Sequence, residues 1–112
     1  MWQKHRGKYH LLLGMNVASV REGRFLRSAC EKQIQVRKKN QVQYPLERKC
    51  AICSGVSHLV YASVDEARRF YLPKETRLVV LYRALELTQS KTLKAAIEAR
   101  ILRVAETNGK EE

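Results

Sequence analysis

Cys50-Ala-Ile-Cys53, followed by His58, is the pattern of this 112-residue chain with the most chemical content. Two thiolates three positions apart can face one cation if the chain turns tightly beside them. Gly55 would allow that turn by accepting positive φ. A structural zinc site takes four ligands, commonly cysteines and histidines. Cys50, Cys53 and His58 offer three. Cys30 is the expected fourth, with His5 and His10 as further candidates. Zn2+ is the cofactor this set implies. Two other readings compete. Cysteine is among the most buried residue types, so the thiols could be inert core. A reactive C-x-x-C pair normally sits at a helix N-terminus, where the helix dipole lowers the thiol pKa. A strand and turn are expected here, which weighs against redox chemistry.

The C-x2-C-x4-H spacing is one that zinc knuckles use, but the position of a knuckle's closing cysteine is Ser63. The chain departs from that pattern at the ligand that completes the site. Three cysteines are an odd number, and no export signal is expected at the N-terminus. Reduced thiols or metal ligation are therefore favoured over a disulfide framework.

The elements that would carry these residues suggest an α+β fold. Residues 1–8 read as a flexible basic tail, 9–107 as a single compact domain and 108–112 as a frayed C-terminus. From near Gly23, Phe25, Leu26, Ala29, Cys30 and Ile34 fall on one arc at helical spacing, which predicts a basic amphipathic helix. Ser19 and Glu22 form a capping pattern before it. Lys49–Cys53 and His58–Ala62 are expected to be the arms of a short cysteine-bearing β-hairpin turning at Ser54-Gly55. The C-terminal half is expected to be helical. Ser63 and Glu66 would cap a short helix over Val64–Tyr71. Glu75–Leu87 is apolar enough for a buried helix. Ser90 would cap a last helix over Lys91–Glu106, and Asn108-Gly109 would stop it.

The charge is unevenly distributed. The whole chain carries +11. Residues 1–50 hold 12 Lys and Arg against Glu22, Glu31 and Glu47, leaving +9. Residues 51–112 hold 10 against 8 acidic residues, leaving +2. A basic excess confined to one half is a directed field, and polyphosphate is its commonest partner. Arg21, Arg24, Arg27, Lys32, Lys38, Lys39, Arg48 and Lys49 are the expected phosphate contacts, with Trp2, Tyr9, Tyr44 and Tyr61 as candidates for stacking on bases. Phe25, Phe70, Tyr71 and Tyr82 are expected in the core.

These features point to a small basic nucleic-acid-binding protein, regulatory rather than enzymatic, with DNA and RNA both open. No phosphate-cradling glycine loop or paired-carboxylate constellation stands out. The alternatives are a toxin-like ribonuclease drawing on His10, His58, Arg68 and Arg69, and a protein-interaction adaptor using the apolar C-terminal helices. A homodimer through residues 75–106 is expected, because that segment is apolar all round. The apolar runs are far shorter than the roughly 20 residues a membrane span needs. No membrane partner is expected, and the expected location is intracellular, cytoplasmic or nuclear.

Overall fold

A computed structural model describes residues 1–13 and 19–107. The chain divides into two compact units, Met1–Ser54 and Gly55–Glu112, where one domain was expected. The fold is α+β, with the strands in the first unit and a helical C-terminal half.

The N-terminal unit opens with strands β1 (Trp2–His5) and β2 (Lys8–Leu11). His5 pairs with Lys8, so the hairpin loop is two residues long. Arg6 at φ 51° and Gly7 at φ 82° give it the double positive φ that matches the twist of paired strands. The tail expected over residues 1–8 is therefore mostly ordered strand. Trp2 is 3% exposed and belongs to the core rather than to a stacking surface. β5 (Gln41–Val42) pairs with the other edge of β1. Between them the buried Gln3 acts as a backbone bracket. Its Nε2 donates to the Arg37 carbonyl at 3.1 Å, and its Oε1 accepts from the Arg37 amide at 2.9 Å.

The basic helix expected from Gly23 is a second antiparallel hairpin, β3 (Phe25–Arg27) with β4 (Gln33–Gln35). Leu26 faces Ile34, and Ile34 is fully buried in a cluster with Leu12 and Val36. The apolar residues read as a helical arc serve alternation in two short strands instead. Ser28 holds the connecting turn. Its amide donates to the Lys32 carbonyl, and its hydroxyl accepts from the Lys32 amide at 3.1 Å. Glu31 takes φ 71° there. Among the described residues, 20–24 carry no helix and lead into β3, so Ser19 and Glu22 do not cap one there. Glu22 accepts from the Lys38 amide instead.

The expected cysteine-bearing hairpin is also replaced. Ala51–Val60 forms helix α1, with the buried residues Cys53, Val56 and Leu59 at helical spacing. Gly55 is not at a turn. A Cβ there would lie 3.0 and 3.2 Å from the two γ-methyls of Val80, so its role is close helix packing. The remaining helices follow the sequence closely. α2 (Val64–Arg69) starts at a reciprocal capping box between Ser63 and Glu66. α3 spans Arg77–Leu87 and α4 spans Lys91–Thr107, with Ser90 Oγ accepting from the Leu93 amide. α4 packs against both α2 and α3. The expected stop at Asn108-Gly109 and the frayed C-terminus lie outside the described residues.

Gly55→Val should destabilise the protein by about 2 kcal/mol, because overpacking a filled contact costs on the order of 1–3 kcal/mol. Urea denaturation with an unchanged m-value measures this. Wild-type stability in the variant would show that Val80 yields freely.

Candidate metal centre

Four potential ligand atoms, one each from His10, Cys30, Cys50 and Cys53, lie within 4.8 Å of one another. They come from three separate segments of the N-terminal unit, and backbone hydrogen bonds hold those segments together. On one side of β2, Tyr9 N–H donates to the Arg48 carbonyl at 2.7 Å, and Cys50 N–H donates to the Tyr9 carbonyl at 2.8 Å. This fixes Cys50 beside β2. On the other side, Ala29 N–H donates to the Leu11 carbonyl at 2.8 Å, and Leu12 bridges Ser28. This brings the β3–β4 turn, with Cys30, to the end of β2. His10 lies between the two tethers and is 3% exposed. Cys53 sits in the first turn of α1, one turn beyond Cys50.

The donor atoms point at one another. His10 Nδ1 lies 3.4 Å from Cys30 Sγ and 3.9 Å from Cys53 Sγ. Zinc bonds of about 2.3 Å to sulfur and about 2.0 Å to nitrogen place adjacent tetrahedral donors roughly 3.5–3.8 Å apart. The widest separation here needs to close by only about 1 Å. Ser28 Oγ is 3.1 Å from Cys30 Sγ. Because its oxygen accepts from Lys32, its proton is available to steady a thiolate, the supporting role typical of groups behind metal ligands.

The protonation states suit cation binding. Cys50 is held down to about 4, chiefly by a hydrogen bond from the Cys53 thiol, with backbone amides at the start of α1 assisting. Cys53 is pushed up by that same hydrogen bond and by burial. Before any cation enters, one proton is therefore shared by the pair and must leave on binding. Burial lowers the pKa of His10, leaving its imidazole neutral near pH 7 with a lone pair to offer.

Three of the four expected ligands, Cys30, Cys50 and Cys53, thus come together, and the histidine is His10 rather than His58. Once the C-x-x-C pair starts a helix, His58 falls two turns beyond Cys50 and stacks on Phe70 at a 4.0 Å centroid distance. The signal for His10 was its place in an apolar strand, in phase with the buried Leu12. The objection to redox chemistry also changes, because Cys50 does immediately precede a helix, its carbonyl accepting from Ser54 N–H.

The expected basic contacts do not share one helix. Arg21 and Arg24 lie before and at the start of the β3–β4 hairpin, Arg27 and Lys32 on it, Lys38 and Lys39 in a short 3-10 turn, and Arg48 and Lys49 in the segment leading to Cys50. All are exposed except Lys49, which is half-buried and donates to Tyr44 Oη at 2.9 Å. Phe25, Tyr71 and Tyr82, all expected in the core, are exposed instead, Phe25 to 60%. No helix among the described residues is long and apolar enough to cross a membrane.

Purified protein should carry one zinc per chain by native mass spectrometry with metal analysis. Cys30→Ser, Cys50→Ser and His10→Ala should each weaken zinc binding at least tenfold, while His58→Ala leaves it unchanged. Zinc retention by His10→Ala together with loss in His58→Ala would reverse the assignment.

No protein-family model, curated protein or solved structure matches the chain, so the chemistry of this centre has to be read from its own donor set.

Proposed function

We propose that the chain is a zinc-stabilised protein that binds single-stranded nucleic acid through the outer face of the β3–β4 hairpin. The observation that carries this reading is the exposed Phe25 on a hairpin rich in cations and amides. Register and alternation put Phe25, Arg27, Gln33 and Gln35 outward while Leu26 and Ile34 face in. Arg37 donates to the Gln35 side chain at 2.9 Å and holds its amide in place. A large apolar ring left in water beside Arg24, Arg27 and Lys32 suits a base stacked on the ring and phosphates neutralised around it. A flat face of this kind favours splayed-out bases over a groove of duplex DNA.

Cys30 sits in the turn of the same hairpin, so zinc would fix the binding face to the rest of the unit. A unit of this size buries little apolar surface, and metal binding supplies folding free energy that its core lacks. A reducing intracellular compartment would keep the thiolates available. The homodimer through residues 75–106 remains part of the proposal, since Val79 and Tyr82 leave apolar surface exposed on α3.

A second reading has one specific observation in its favour. Cys50 precedes α1 and is held down to about 4, as in dithiol redox proteins. The convergence of His10 and Cys30 on the same point favours metal, because a redox pair needs neither. One zinc per chain resistant to mild oxidant supports the metal reading. A readily formed Cys50–Cys53 disulfide in metal-free protein as purified would support redox chemistry.

Fluorescence anisotropy with labelled single strands and duplexes tests the function. The full chain should prefer the single strand, and binding should weaken steeply between about 50 and 200 mM salt. Phe25→Ala should cost about 1–3 kcal/mol, the usual worth of a stacked base. If neither DNA nor RNA is bound at low salt, the reading fails.

A further inference from the structure

The C-terminal unit, nearly neutral overall, contains a concentrated basic cavity of about 310 Å3. Arg68, Arg77, Arg100 and Arg103 converge on it, Tyr71 stands at its edge, and two aliphatic side chains complete the lining. None of these described lining residues is acidic. The carboxylate of Asp65 reaches Arg68 only at 4.0 Å, in an exposed pair.

Two of the arginines are fixed from behind. Arg100 donates to the Ala67 and Phe70 carbonyls at the end of α2, and Arg77 Nε donates to the Leu72 carbonyl at 3.3 Å. Burial and the nearby Arg103 and Arg77 lower the pKa of Arg100, which marks the cost of gathering these cations around one space. An anion in that space relieves the cost. Arg68 and Arg103 are exposed, and they also line a second cavity of about 700 Å3 floored by Ala95, Ala96 and Ala99 of α4. These two guanidiniums therefore stand between two adjoining spaces. Tyr71, 77% exposed, offers a ring face beside the first. Cavities of this size are in the range that holds a small organic ligand.

We infer that this cleft binds a nucleotide within a single strand, with a phosphodiester against Arg68 and Arg103 and a base on Tyr71. The inference rests on the single-strand reading above and adds a second contact surface, in the C-terminal unit. The two adjoining spaces, one on each side of Arg68 and Arg103, favour a phosphodiester that joins two nucleosides over a free nucleotide.

The test uses the full chain and an octanucleotide carrying one 5-iodouracil, photocrosslinked and mapped by peptide mass spectrometry. A crosslink at Tyr71 is expected, lost in Tyr71→Leu. The double variant Arg68→Gln/Arg103→Gln should lower affinity about tenfold and abolish that crosslink. The charge-matched control Arg69→Gln/Lys91→Gln, outside the cleft, should change affinity less than about twofold. Retained binding with crosslinks only in residues 1–50 overturns the cleft and leaves the hairpin reading intact. Equal losses in the two double variants also overturn it. Competition by adenosine monophosphate as strong as by a dinucleotide would replace the strand with a free nucleotide. If the wild-type chain binds no strand, the hairpin reading fails, and this inference falls with it.

Discussion

The pairing of Tyr9 with the chain around Cys50 is the constraint on which the N-terminal unit depends. Residues 9 and 50 are far apart in sequence, yet backbone hydrogen bonds shorter than 3 Å join Tyr9 to both Arg48 and Cys50. Without that pairing the first turn of α1 has no fixed place beside β2, and the C-x-x-C pair has no histidine. The matching tether from Leu11 to Ala29 does the same for the β3–β4 turn. β2 is only four residues long, but both of its ends bind a ligand-bearing segment. Backbone geometry thus preassembles the donors, and a cation would tighten a cluster already gathered.

Much of the C-terminal half was legible because its signals are local. Ser63 and Glu66 satisfy each other's backbone within one turn, and that chemistry does not depend on the rest of the fold. Ser90 is similar. The N-terminal half was misread where the decisive contacts are distant. Phe25, Leu26 and Ile34 suit a helical arc and a hairpin equally well, and the Ser28–Lys32 turn uses Glu31 rather than glycine at positive φ. The Cys50 region failed in the opposite direction. Its Ser, Gly and β-branched residues have weak helix propensity, so packing of Cys53, Val56 and Leu59 overrides local preference. The C-x-x-C motif itself was plain in the sequence. Its histidine was not, because strand pairing 40 residues away selects it.

Charge and apolar surface are distributed with similar economy. The β3–β4 hairpin has one face to bury, which leaves its outer face for cations and for Phe25. In the C-terminal unit two arginines are tied to backbone carbonyls at helix ends and loops, where they satisfy groups that helices leave open. The same guanidiniums create a positive field that the sequence total conceals. Net charge per half was therefore a fair guide to the first unit and a poor one to the second.

The sequence positions of the four donors have a consequence for assembly. Twenty positions separate His10 from Cys30 and twenty more separate Cys30 from Cys50, whereas Cys50 and Cys53 lie one turn apart at the start of α1. A cation would therefore draw on three chain segments, joined by their own backbone tethers. Closing those two loops costs chain entropy before a cation can reach all four donors. Metal capture would then act as a latch that reports completion of the whole N-terminal unit, rather than as a seed that starts it.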